Sequence, residues 1–172
     1  DHEIDDNWAG AHGKDGDPPA VFAARKRAAL QAWYEHDPVR PRVRPGRAGA
    51  RAFRRFDFGR LMRMHVLDTR SHRSRQECEG AGMTLPERAA CKPAYAPSRT
   101  MLGAEQEAWL GAGLIPDFGW NFIAQQVMMM PYDTRKDGET AARRSTDNWN
   151  GYPQARRRLT ASIEQKGLTN VV

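Results

Sequence analysis

Apolar side chains at Phe22, Ala29, Leu30 and Trp33 recur at a spacing that places them on one helical face, which predicts a helix over Ala20–His36. Pro19 suits its first turn, and Pro38 and Pro41 end it. Residues 10–19 before it hold three glycines and two prolines and read as a loop. Further on the period shortens. Alternation at Phe56 and Phe58, then at Met62, Met64 and Val66, predicts paired strands over Ala52–Phe58 and Leu61–Asp68, joined by a tight turn at Gly59-Arg60.

Helical spacing returns over Thr100–Leu114, with Leu102, Ala108, Trp109, Leu110 and Leu114 as the apolar face and Glu105 early, where the helix dipole favours an acid. Trp120–Val127 is a short aromatic and β-branched run and is predicted as an interior strand. Pro153–Glu164 predicts a third helix carrying Arg156, Arg157 and Arg158, with Gly167 as its stop. Asn170-Val171-Val172 reads as the first residues of a buried strand. The stretches 38–49, 71–100 and 133–146 are Pro-rich or polar; 71–100 holds both cysteines and is expected to be a long excursion from the scaffold. No internal repeat is found, and the mixture of helices and strands predicts an α/β (α+β) fold.

Length and charge narrow this picture. A chain of 172 residues makes one domain or part of one, and domains of that size bury roughly 70% of their extended surface. No apolar run nears the roughly 20 residues of a membrane helix, and acids stand at the N-terminus where a signal peptide carries Lys or Arg. The chain opens without an initiator Met and closes on what reads as an unfinished strand, so an internal piece of a longer protein is expected. The net charge of +6, most of it Arg, suits an anionic partner, either nucleic acid or a phosphate ester. A solvated Arg-rich surface is the plain alternative for any single arginine.

Candidate chemistry begins at the first residue. Asp1-His2-Glu3, followed by Asp5, Asp6, Asn7 and His12, gathers hard oxygen ligands and imidazoles of the kind that hold a divalent or trivalent metal; acids at a terminus are also commonly plain surface.

The order of several phrases is more specific. Asp1-His2-Glu3 with Asn7-Trp8-Ala9-Gly10 resembles the Asp-Asp-His-Glu motif and its Asn-Trp sequel in PhoD-like phosphatases. Phe56-Asp57-Phe58-Gly59 leading to Leu67-Asp68-Thr69-Arg70 is similar to their Arg-Phe-x-Phe-Gly and Leu-Asp-Thr-Arg segment. Thr100-Met101-Leu102-Gly103-Ala104-Glu105-Gln106 with Trp109-Leu110 matches their helix start. Trp120-Asn121 with Gln125-Gln126-Val127, and Trp149 with Gly151-Tyr152-Pro153, complete a series that covers nearly the whole chain in the family's order.

The resemblance implies part of a calcineurin-like metallophosphoesterase, a sandwich of two mixed sheets flanked by helices, which hydrolyses phosphate mono- or diesters outside the cytoplasm, in the periplasm or as a secreted protein, using iron and calcium. Carried onto this sequence, Asp1 would be a metal ligand and His2 the histidine that offsets charge on the phosphoryl group and assists the leaving group. Glu3 would hold His2 by a hydrogen bond. Arg70 could reach a phosphate oxygen, or pair with Asp68, or make a buried structural contact. Gln125 and Gln126 lie where other superfamily members place a metal-binding His and could bond a bound water. Trp109, Trp120 and Trp149 read as core.

The family's Trp-Asp-Gly-Tyr stands here as Trp149-Asn150-Gly151-Tyr152, and His72 replaces a common Tyr. The early aspartate motifs and the Gly-Asp-x-His phrase are absent, so the fragment is expected to be inactive alone. An extracytoplasmic setting also implies a disulfide between Cys78 and Cys91; a metal site or two buried thiols are the other readings. The rival to an enzyme is a noncatalytic scaffold or a basic anion- or nucleic-acid-binding module.

Overall fold

The alternating segments form a hairpin in the computed structural model, which describes residues 2–14, 16–40, 44–46, 50–78, 84–85, 91–140 and 142–172. Strand β1 (Arg54–Phe58) runs antiparallel to β2 (Met62–Val66), with Phe58 opposite Met62. On its other side β2 pairs in parallel with β4 (Trp120–Ala124), giving a mixed sheet of order β1-β2-β4. Helices α1 (Pro19–His36), α2 (Gly103–Gly113) and α3 (Pro153–Gln165) fall where the spacing places them, so the class is mixed α/β as expected. Gly167, at φ +62°, ends α3 in the left-handed conformation that glycine adopts without steric cost.

Alternation sets the two faces of the sheet. Arg55, Arg63, His65 and Asn121 point toward α2: Arg55 lies 4.7 Å over the Trp109 ring and donates to the Trp109 carbonyl at 2.8 Å. Asn121 donates to Ile115 O at 2.8 Å, and His65 meets Trp109 edge to face. The opposite face carries Phe58, Trp120 and Phe122, which are exposed. Trp120 is therefore not core: its strand buries Asn121 instead, because the polar face is the one that α2 covers. Trp149 is fully buried and Trp109 packs against the core, as expected.

The main core joins α2 and α3 to the end of β2 through Leu67, Met101, Leu102, Leu110, Leu114, Trp149, Tyr152 and Ala155. Ala108, placed by its spacing on the apolar face of α2, is exposed, and Gln106 is buried in its stead. A second cluster, Ile4, Trp8 and Phe22, packs against Ala29 and Leu30 of α1. Thr100 precedes α2 rather than opening it, and its Oγ1 accepts from Gly103 N at 2.8 Å.

The excursion 71–100 is more ordered than its polarity implies. Strand β3 (Thr84–Leu85) pairs antiparallel with β5 (Arg144–Ser145), and a short 3-10 turn spans Lys92–Tyr95. Strands of two residues leave no periodicity to read, which is why neither was expected. Cys78 and Cys91 form the disulfide, with Cα atoms 6.0 Å apart. Such a crosslink lowers the entropy of the unfolded loop by an amount worth about 3 kcal/mol in the chain-entropy description. At the C-terminus Val171 pairs in parallel with Asn121, but Val172 is exposed, so this strand start is paired without being fully buried.

His65 makes the fold sensitive to acid. Burial, reinforced by the neighbouring Arg55 guanidinium, pushes its imidazole from 6.5 down to about 4. Arg63, Asp57, Asn121 and Trp109 are the other groups that face it. Between these two values the unfolded chain binds a proton that the folded one refuses, so stability falls as pH drops from 6.5 toward 4, by at most about 1.4 kcal/mol per pH unit. Urea unfolding at pH 7, 5.5 and 4.5 is expected to show a steeper loss in the parent than in His65→Gln. Equal slopes would mean that His65 is not the group responsible.

Candidate active site

The Leu67-Asp68-Thr69-Arg70 turn leaves the end of β2 and enters the interior, where its peptide groups need partners. Two glutamines supply them. Gln106 of α2 accepts from Asp68 N at 2.8 Å and donates to Asp68 O at 2.8 Å and Leu102 O at 3.0 Å. Gln126, just beyond β4, accepts from Thr69 N at 3.1 Å and Thr69 Oγ1 at 2.8 Å, and donates to Leu67 O at 2.5 Å. With its backbone held, Asp68 turns its carboxylate to the following residues, accepting from Arg70 N at 3.0 Å and Ser71 N at 2.8 Å.

This turn forms one wall of a cavity of about 280 Å³. Glu3, Asp68, Arg70 and Gln126 bring polar groups to it, and Trp8, Leu30 and Trp33 supply much of the apolar lining. A mostly apolar cavity with a few convergent polar groups is the usual form of a small-molecule site. Beside it, Lys26 lies 4.6 Å over the Trp8 ring and donates to Gly10 O at 2.8 Å. Burial holds its ammonium below the usual lysine range, and Asp68 opposes that shift.

All but one of the residues singled out in the sequence have a definite place. Asp1 lies outside the described residues. The His2 side chain is 83% exposed, and its Nδ1 meets Asp6 Oδ1 at 2.6 Å, so Asp6 provides a carboxylate contact of the kind expected from Glu3. Glu3 lines the cavity, and a hydrogen bond from its own backbone N–H holds its carboxyl below the usual range. Arg70 makes a bidentate pair with Asp147, at 2.6 and 2.7 Å, while its backbone N–H donates to the Asp68 carboxylate at 3.0 Å. Gln125 accepts from the Trp149 indole at 3.1 Å and from Val127 N at 3.2 Å. Gln126 clamps the turn. Asn150, which stands where the family has an acid in Trp-Asp-Gly-Tyr, is buried and bonded to Asn148 and Arg156 and does not line the cavity.

Among the described residues no three His, Cys, Asp or Glu side chains converge as a metal would require. The donors described here therefore do not make a metal site by themselves. Sequence reading missed Gln106, Arg73 and Asp147. Gln106 was visible as the last residue of a matched phrase, whereas nothing in the local pattern distinguishes Arg73 or Asp147 from the other charged residues around them.

The sheet, the glutamine-held turn and the cavity belong to a phosphatase scaffold: the sequence profile of the PhoD-like phosphatases matches residues 1–172, and the chain belongs to that family. It is 36% identical over 173 residues to alkaline phosphatase D of Bacillus subtilis (strain 168), a match that takes in 100% of this chain and 28% of the relative. A solved structure of PhoD superposes on 99% of the chain with a TM-score of 0.88 at 34% identity, using 32% of its own length. The chain thus spans under a third of the proteins it matches.

If the two glutamines hold the turn, Gln106→Leu leaves buried peptide groups without partners and lowers the unfolding free energy in urea by about 2 kcal/mol or more. A loss below about 0.5 kcal/mol, the usual effect of a surface change, would show that the turn stands without this clamp.

Proposed function

We propose that this chain is the part of a phosphoesterase that presents the leaving-group histidine and one wall of the substrate cavity, in a protein that hydrolyses phosphate mono- and diesters. The whole-chain family match carries this reading. In the reaction a water oxygen adds to phosphorus in line, the P–O bond to the alcohol breaks, and a proton from the His2 imidazolium neutralises the departing oxygen. A monoester yields phosphate and an alcohol, a diester yields a phosphate monoester and an alcohol, and the proton lost by the attacking water passes to solvent. With Nδ1–H directed at Asp6, Nε2–H of the imidazolium is the donor that meets the ester oxygen.

Iron and calcium are the metals that family resemblance implies, with Asp1 as a ligand; a metal would polarise the phosphoryl oxygens and activate water. The described donors alone do not converge closely enough to hold an ion. Arg70 and Glu3 border the cavity together with Arg54 and Asp68. Trp33 and Leu30 give it room for the organic part of an ester. The Cys78–Cys91 disulfide supports a periplasmic or secreted setting, since such bonds persist in oxidising compartments.

A chimera tests the proposal: alkaline phosphatase D of Bacillus subtilis with its matched segment replaced by this chain. It is expected to hydrolyse p-nitrophenyl phosphate and its bis ester, while the isolated 172-residue chain shows no turnover. Within the chimera Asp1→Ala is expected to lose activity together with metal. His2→Ala should keep metal and lower kcat about 100-fold or more. Unchanged kcat in His2→Ala, or equal metal loss in both variants, would overturn the role given to His2.

A further inference from the structure

Arg73 is deeply enclosed near the site, with a side chain that is 0% exposed, yet it is not among the residues that line the cavity. Its contacts are unusual in kind. Nε donates to Trp8 O at 3.1 Å, and Nη2 donates to Trp8 O and Asn7 O, both at 2.8 Å. Nη1 reaches Asp147 O at 2.7 Å and Nη2 reaches Asp147 Oδ1 at 2.7 Å. The same carboxylate accepts from both terminal guanidinium nitrogens of Arg70, at 2.6 and 2.7 Å. One side chain therefore ties the segment that follows Asp1-His2-Glu3 to the acid that orients Arg70.

Two further observations mark the same junction. Asn7 sits at φ 54°, a left-handed conformation that asparagine adopts more readily than other residues with a Cβ. Gly10, at φ +59°, donates to Arg70 O at 3.0 Å, and a Cβ there would lie 3.1 Å from Arg73 O. The chain at 7–10 is thus pressed against 70–73 from both sides.

We infer that Arg73 is a positioning residue: it fixes the Asn7-Trp8 backbone, and through it the Asp1-His2-Glu3 motif, while Asp147 carries the same constraint to Arg70 at the cavity. The functional meaning rests on the phosphoesterase reading; the mechanical link does not. Only a planar fork with several donors spans these acceptors, so a lysine with one ammonium does not replace it.

The test uses the 172-residue chain itself. In Arg73→Lys, amide hydrogen exchange over residues 4–14 is expected to speed up about tenfold or more, while α2 and α3 change by less than about twofold. The imidazole NMR resonances of His2 should move toward those of an unconstrained histidine, a change that loss of core stability alone does not produce. Asp147→Asn is expected to give the same pattern and, combined with Arg73→Lys, to add little to it. Should Arg73→Lys fail to fold, Gly10→Ala, which pushes on the Arg73 carbonyl from the other side, is expected to give the same localised effect. Unchanged exchange over 4–14, an equal rise throughout the chain, or faster exchange with unmoved His2 resonances would each overturn the inference. An inactive chimera leaves these readouts unaffected, so failure of the phosphoesterase reading is told apart from failure of this one.

Discussion

A buried turn must satisfy its own peptide groups, and the way Leu67-Asp68-Thr69-Arg70 does so organises the molecule around it. Gln106 from α2 and Gln126 from beyond β4 act as substitutes for a neighbouring strand, extending hydrogen bonding past the point where the sheet ends. That fixes α2 against the sheet and orients Asp68. It also aims Arg70 at Asp147, across 77 positions of sequence. The main core fills in behind this arrangement: Leu67 immediately precedes Asp68, and Leu102, whose carbonyl Gln106 also binds, packs in the same cluster.

How much of this was legible depends on the length scale of the signal. Helices α1, α2 and α3 and the β1–β2 hairpin follow from periodicity, because several turns or several alternations repeat the same message. The two-residue strands β3 and β5 repeat nothing and were invisible. Ordered family phrases gave the class and drew attention to Glu3, Arg70 and Gln126, which the fold does bring to one cavity. They did not reveal Arg73 or Asp147, whose importance comes from contacts 74 positions apart that no local pattern encodes. The disulfide was reached through compartment rather than geometry, and the structure forms it.

The sheet inverts the usual arrangement in this chain. Its covered face holds Arg55, Arg63, His65 and Asn121, while Phe58, Trp120 and Phe122 stand open. An apolar sheet face is what packing against a second sheet requires, in keeping with a sandwich and with relatives more than three times as long. Within this chain the register cannot come from burying that apolar face. It rests on directional bonds such as Arg55 to Trp109 O and Asn121 to Ile115 O, each of which a one-residue slip would break.

Arg73 reads its surroundings through oxygens that every amino acid carries. Three of its acceptors are the carbonyls of Asn7, Trp8 and Asp147, so the bonds themselves are blind to which side chains occupy positions 7 and 8. Sequence drift at those two places is limited by other features, among them the left-handed turn at Asn7, the packing of Trp8 and the Lys26 ammonium over its ring. The burden of invariance shifts to Gly10, Arg73 and Asp147, where space, fork geometry and charge have no ready substitute. A motif that looks defined by its own letters is, in this fold, tied through Arg73 and Asp147 to distant parts of the chain.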